Sequence, residues 1–322
     1  MKKNLILLLV LFGLLVSCAD NFEPFGDLKE KYVLNCIING DTTYQVATIT
    51  KTYANENYNP YSNTVDPNVR GAVIRVWNGD SVATFKDTTY TRPADSPYKT
   101  PYSLYYTKNF KLVGNQVEIE AVLPNGIRLS SKSAIPNAVK FLYVDKVVPP
   151  TSKTYIEFDW QAGSADNAYL TQVSIYYYKS DDPQKTVHVA YVPAFYVTKD
   201  GVSYPIASKP NNSNQLIMSV ETISKAMELI SAGDPNKSNY VILGPFLEVV
   251  SFGKSLSTYF NSISKTNDAY TVNLNEIDYT NVENGVGIFG VYLRNYWSFD
   301  FTHAYIKSFG YTPGLADVVP PL

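Results

Sequence analysis

The chain has 322 residues, 45% hydrophobic and 17% charged, with 27 Lys and Arg against 29 Asp and Glu for a net charge of −2. That apolar share excludes a disordered protein, and the scattered, balanced charge excludes electrostatic binding to nucleic acid. Aromatics reach 14%, 27 of them tyrosine, a bias that suits β-strands.

Lys2 and Lys3 precede an apolar run from Leu5 to Val16, and Ser17 precedes Cys18. This is the layout of a signal peptide over residues 1–17. The run is about a dozen residues, short of the roughly 20 that a membrane-spanning helix needs. Leu15-Val16-Ser17-Cys18 resembles the lipobox of bacterial lipoproteins, which implies cleavage before Cys18 and acylation of its thiol. Two or more acyl chains hold a protein stably at a bilayer, each buried methylene contributing about 0.8 kcal/mol. Residues 18–30 read as a short tether carrying Asp20, Glu23 and Asp27. The expected location is the outer membrane, with the chain lipid-anchored and facing the cell exterior.

The remaining length suits two domains of ordinary size. From 31 to 136, short apolar or alternating runs recur at the spacing of a β-sandwich: Tyr32 to Ile38, Tyr44 to Thr52, Ala72 to Trp77, Ser81 to Lys86, Leu104 to Phe110, Gln116 to Leu123 and Ile127 to Ser133. Asn39-Gly40, Asn78-Gly79 and Asn125-Gly126 are hairpin signals between them. Gly71 to Trp77 with the strand after it looks like an Ig-like or transthyretin-like module. Residues 55–68 and 91–101, broken by prolines, read as loops.

From 137 to 312 a second β pattern begins at Phe141-Leu142-Tyr143-Val144 and continues through Thr154 to Trp160, Thr171 to Tyr178, Thr186 to Pro193, Tyr270 to Leu274 and Gly287 to Phe301. It resembles a fibronectin-like β-sandwich with two short helical insertions. One helix is expected near 219–232, capped by Ser219, with Val220, Ile223, Met227 and Ile230 on one face. The other is expected near 255–264, with Leu256, Tyr259, Phe260 and Ile263 on one face. The Pro-containing end, 313–322, reads as a frayed tail. The expected fold class is therefore mainly β, with two Ig/fibronectin-like β-sandwich domains.

No catalytic constellation stands out. Gly285 to Gly290 matches G-x-G-x-x-G, but the buried strand before it and the helix after it that a dinucleotide site requires are missing. His188 and His303 belong to no metal-ligand spacing. Glu157, Asp159, Glu248 and Glu283 are available carboxylates whose sequence spacing pairs none of them. Cys36, the cysteine left after lipidation, lies on a predicted buried strand and reads as an inert thiol. No catalytic residue, cofactor or metal is expected, and the chain does not read as an enzyme.

One constellation reads as a binding surface. Tyr176, Tyr177, Tyr178, Tyr191 and Tyr196, with Phe195 and Tyr204, place rings on both faces of neighbouring strands. Those facing solvent form a platform for a sugar ring or a partner protein, and those facing inward cover the sandwich.

Asn281-Val282-Glu283-Asn284-Gly285-Val286-Gly287-Ile288-Phe289-Gly290 resembles the signature of Gram-negative lipoproteins known as domain of unknown function 4249. Its core is Asn284, Gly285, Gly287, Phe289 and Gly290. The lipobox, the tether and Tyr32 to Ile38 agree with that resemblance. It implies an accessory binding or scaffolding role beside a TonB-dependent receptor. A stand-alone carbohydrate-binding or adhesive lipoprotein is the alternative expectation. The expected partners are the membrane, such a receptor and a glycan.

Overall fold

The computed structural model describes residues 30–52, 64–96, 98–163, 167–265 and 279–315. The expected signal peptide, Cys18 and most of the expected tether lie outside them, as does the strand expected at 270–274. The chain is mainly β, with twenty strands and three α-helices among the described residues.

The first eight strands are β1 (Tyr32–Asn39), β2 (Gln45–Lys51), β3 (Val73–Asn78), β4 (Ser81–Thr84), β5 (Lys86–Tyr90), β6 (Tyr102–Thr107), β7 (Gln116–Val122) and β8 (Arg128–Ala134). Each of the three Asn-Gly turns joins antiparallel neighbours: β1 to β2, β3 to β4, and β7 to β8. Alternate residues face opposite sides of a strand, so Leu34, Cys36 and Ile38 of β1 are buried while Asn35 and Ile37 are exposed. The four-stranded sheet β4-β3-β7-β8 packs its Ile74, Val76, Val117 and Ile119 against that face of β1. The single strand expected at Ser81 to Lys86 is two. Phe85 turns its ring into the core between the sheets, so the chain crosses there, leaving β4 in the small sheet and sending β5 to the edge of the large one.

The later strands are β9 (Phe141–Val144), β10 (Val147–Val148), β11 (Tyr155–Trp160), β12 (Ala168–Lys179), β13 (His188–Val192), β14 (Phe195–Lys199), β15 (Val202–Ile206), β16 (Gln215–Ser219), β17 (Tyr240–Phe252), β18 (Val286–Ser298), β19 (Asp300–Phe301) and β20 (Thr312–Pro313). Ile156, Phe158 and Trp160 of β11 point into a second core with Val173 and Ile175 of β12 and Leu247 and Val249 of β17. Helix α1 (Val220–Ile230) closes that core with Ile223, Ala226 and Met227. Its start is set by Ser219, whose hydroxyl accepts from the Thr222 N–H at 3.1 Å, as an N-cap does. Helix α2 (Lys254–Lys265) follows β17.

Two features of the C-terminal end depart from the sequence reading. A third helix, α3 (His303–Ser308), follows β19, capped by Thr302. The tail expected from 313 begins inside the fold, because β20 pairs in parallel with Val241 and Ile242. Tyr311 pins it there: its ring is buried, and its hydroxyl donates to the Met227 carbonyl at 2.7 Å and accepts from the Ser231 N–H at 3.2 Å.

The two sandwich-like units share one sheet. Its order is β13-β12-β17-β18-β1-β2-β6-β5, with β20 branching from β17. β18 pairs antiparallel with β17 along residues 292–298 and in parallel with β1 along residues 286–292. Its first half delivers Phe289 and Val291 to the N-terminal core, and its second half sets Trp297 against the C-terminal one. Val282, Phe289 and Val291, placed by the sequence reading in the second unit, thus pack in the first.

Candidate functional site

Both cores lie on one face of the nine-stranded sheet. On β12 and β17 the odd-numbered residues Val173, Ile175, Leu247 and Val249 point into the core. By the pleat their even-numbered neighbours point to the other side. At the centre of that outer face α2 seats Leu256 among Ala168, Val250, Phe252 and Ile288.

Beyond α2 the outer face carries rings with no core to cover. Ser174 of β12 pairs with Tyr191 on one side and Phe246 on the other, so these two rings flank a small residue on a single row. Tyr176 lies on the next row and meets Phe246 edge-on at 5.1 Å between centroids. Tyr296 stands on β18 beside Glu248. Tyr191 is 69% exposed, Tyr296 58% and Phe246 37%, an apolar aromatic group exposed to water among the described residues. Its polar border is Glu248, which accepts from the Tyr296 hydroxyl at 3.1 Å and pairs with Arg294 at 3.3 Å. Burial raises the Tyr296 phenol above its ordinary value; Arg294 opposes that and the Glu248 charge adds to it.

The sequence-predicted tyrosines divide among three environments. Tyr176 and Tyr191 belong to the outer face. Tyr178 shares its side of β12 but takes the Lys185 ammonium over its ring at 5.7 Å. Tyr177 points inward, stacked on His188 at 5.4 Å and tilted against Tyr240 at 6.0 Å, and packs on the second core. Tyr196 is on the separate β14–β15 hairpin, where it lines a recess facing α1 with Glu221, Lys225 and Glu228. A single five-tyrosine platform is therefore not assembled, because the pleat sends Tyr177 to the core and the chain leaves the sheet before Tyr196. Phe246 and Tyr296 were missed by the sequence reading. Their signal was present: each alternates with a buried or core-packed neighbour, Leu247 and Trp297.

The motif at 281–290 is a crossing between sheets. Glu283 exchanges backbone hydrogen bonds with Ser130 at the edge of the small sheet. Asn284, at φ +58°, then turns the chain into β18 and its side-chain amide donates to the Arg128 carbonyl at 3.0 Å. The Asn281 amide clamps the incoming strand, accepting from the Phe289 N–H at 2.9 Å and donating to the Phe289 carbonyl at 2.7 Å. A Cβ at Gly285 would lie 2.7 Å from the Tyr32 carbonyl oxygen, and one at Gly290 would fall inside the Leu256 side chain of α2. Asn281, Glu283, Asn284, Gly285 and Gly290 thus serve the crossing itself.

The remaining candidates stay apart. Glu157 is on β11, tied to Lys153 and Gln215, and Asp159 is on the same strand. Glu248 is on the outer face, and Glu283 holds the Ser130 hydroxyl at 2.9 Å. The His303 ring nitrogen meets the Leu315 carbonyl at 2.7 Å. Burial pushes the Cys36 thiol up to about 12. Among the described residues no helix is long and apolar enough to cross a membrane.

No protein-family model matches the chain, and no curated protein matches it closely enough to count as a relative.

Proposed function

We propose that this protein is a lipid-anchored binding protein of the outer-membrane surface, held by acyl chains on Cys18, that docks a TonB-dependent receptor through the outer face of its large sheet. The observation that carries the binding role is the exposed aromatic group of Tyr191, Phe246 and Tyr296 beside Tyr176. Exposed rings in a polar border are the composition of protein-interaction surfaces. The lipobox at Leu15 to Cys18 and the resemblance of residues 281–290 to the domain of unknown function 4249 lipoproteins support the location and the partner. We read the two units as an Ig-like or transthyretin-like and a fibronectin-like sandwich, each built as a small sheet facing part of the shared one.

Co-purification in mild detergent tests this reading. A β-barrel receptor is expected with the wild-type protein and is expected to be lost with Tyr191→Ala combined with Tyr296→Ala. Recovery of the barrel with that double variant would refute the docking face. A Cys18→Ser protein that still fractionates with the outer membrane would refute the anchor.

A further inference from the structure

The small sheet has an outer face of its own, which the docking reading does not use. Pleat alternation puts Trp77 of β3 on it, and across the strands Trp77 pairs with Glu118 and Glu118 with Lys132. The next row runs Arg75, Glu120, Ser130, Glu283. Over this face lies an open concavity of about 680 Å³ lined by Trp77, Gln116, Glu118, Ser130, Lys132 and Glu283, among others, within the roughly 300–1,000 Å³ of small-ligand sites.

We propose that this concavity is a saccharide-binding site for neutral sugar chains. The chemistry narrows the ligand. A half-buried indole offers a flat apolar surface, which suits the C–H face of a pyranose ring. Around it stand carboxylates that accept, an amide that does both, a hydroxyl and an ammonium that donates, the mixture that adjacent sugar hydroxyls require. Glu118, Glu120 and Glu283 are balanced on this face by Lys132, Arg128 and Arg75, so neither an anion nor a cation is favoured over a neutral ligand. The polar side chains are already held in place: Lys132 meets Glu118 at 2.8 Å, the Gln116 amide donates to Glu118 at 3.1 Å, and Arg128 meets Glu120 at 2.8 Å.

Trp77 also supplies the readout. The chain has three tryptophans; Trp160 is fully buried in the second core and Trp297 packs on it. The full-length protein, in a detergent without a sugar headgroup, is titrated with cellohexaose, xylohexaose and mannohexaose by tryptophan emission and by calorimetry. At least one hexaose is expected to bind saturably and to change the emission. Trp77→Ala is expected to weaken binding by about two- to tenfold, the scale of one aromatic contact, while Tyr191→Ala leaves it unchanged. Glu118→Ala, which keeps the indole and the core intact, is expected to weaken it as well. Absence of binding by all three hexaoses, unchanged affinity in Glu118→Ala or in a folded Trp77→Ala, or loss in Tyr191→Ala would each overturn the site. None of these results depends on whether a receptor docks on the large sheet.

Discussion

The carbonyl oxygen of Leu34 on β1 occupies the space that a Cβ on Gly287 of β18 would need, and Gly287 holds φ at +121°. Two strands from opposite ends of the chain, Leu34 paired with Gly287, approach that closely because one of them has no side chain there. Both obstacles are backbone, so neither can swing aside. Gly287→Ala is expected to cost about 3 kcal/mol or more, combining left-handed strain with overpacking. Urea unfolding measures it, and a midpoint equal to wild type would show that the parallel pairing is not as described.

At Gly290 the obstacle is the Leu256 side chain. Gly290→Ala should therefore cost about 1–3 kcal/mol, and Leu256→Ala should absorb much of that cost. A double-mutant cycle reads the coupling. Strict additivity would mean that α2 does not sit on β18.

A fragment of residues 30–136 lacks Val282, Phe289 and Val291, three buried members of the N-terminal core. It also leaves the β1 edge unpaired, since β18 is its parallel neighbour. Such a fragment is expected to be unfolded by circular dichroism and amide dispersion in NMR. In the full chain Phe289→Ala should cost about 3–5 kcal/mol. A folded fragment with sharp, dispersed spectra would refute the dependence.

Cys36 is fully buried and its thiol is raised to about 12 by that burial. At pH 8 roughly one such thiol in ten thousand is ionised, and the thiolate is the reactive form. Ellman's reagent is expected to leave the native protein unlabelled at Cys36 and to label it at once in guanidinium. Rapid native labelling would place this thiol outside the core.

Asp234 accepts hydrogen bonds from the Asn236 N–H, the Tyr240 hydroxyl and the Lys179 ammonium, which together hold its carboxyl below the ordinary carboxylate range. A carboxyl depressed in the folded state stabilises above its unfolded pKa of about 3.9 and loses that contribution as pH falls through the folded value. The urea-midpoint gap between wild type and Asp234→Asn should be full at neutral pH and shrink as pH falls below that range. A gap that stays constant into strong acid would contradict it.

Much of the fold was legible because its signals are local. Period-2 burial in Tyr32 to Ile38, the Asn-Gly turns, and Ser219 ahead of the Ile223–Met227 stripe each depend on neighbours in the chain. The split at Phe85 was not legible, since a strand that changes sheets keeps its alternation. The anchoring of β20 was equally hidden, because it rests on Tyr311 reaching Met227 and Ser231, some 80 positions earlier.

By itself the sequence determined the β-rich class, most strand positions, the two main helices and the division of tyrosines into alternating faces. Only the tertiary structure decided that β18 threads both cores, that Phe246 and Tyr296 join Tyr191 on one surface, and that Trp77 stands among Glu118, Lys132 and Glu283. The reason is that side-chain direction follows from position along a strand, whereas strand neighbours are set by long-range burial. Residues 33 and 286 become partners only when the apolar faces of both are removed from water together.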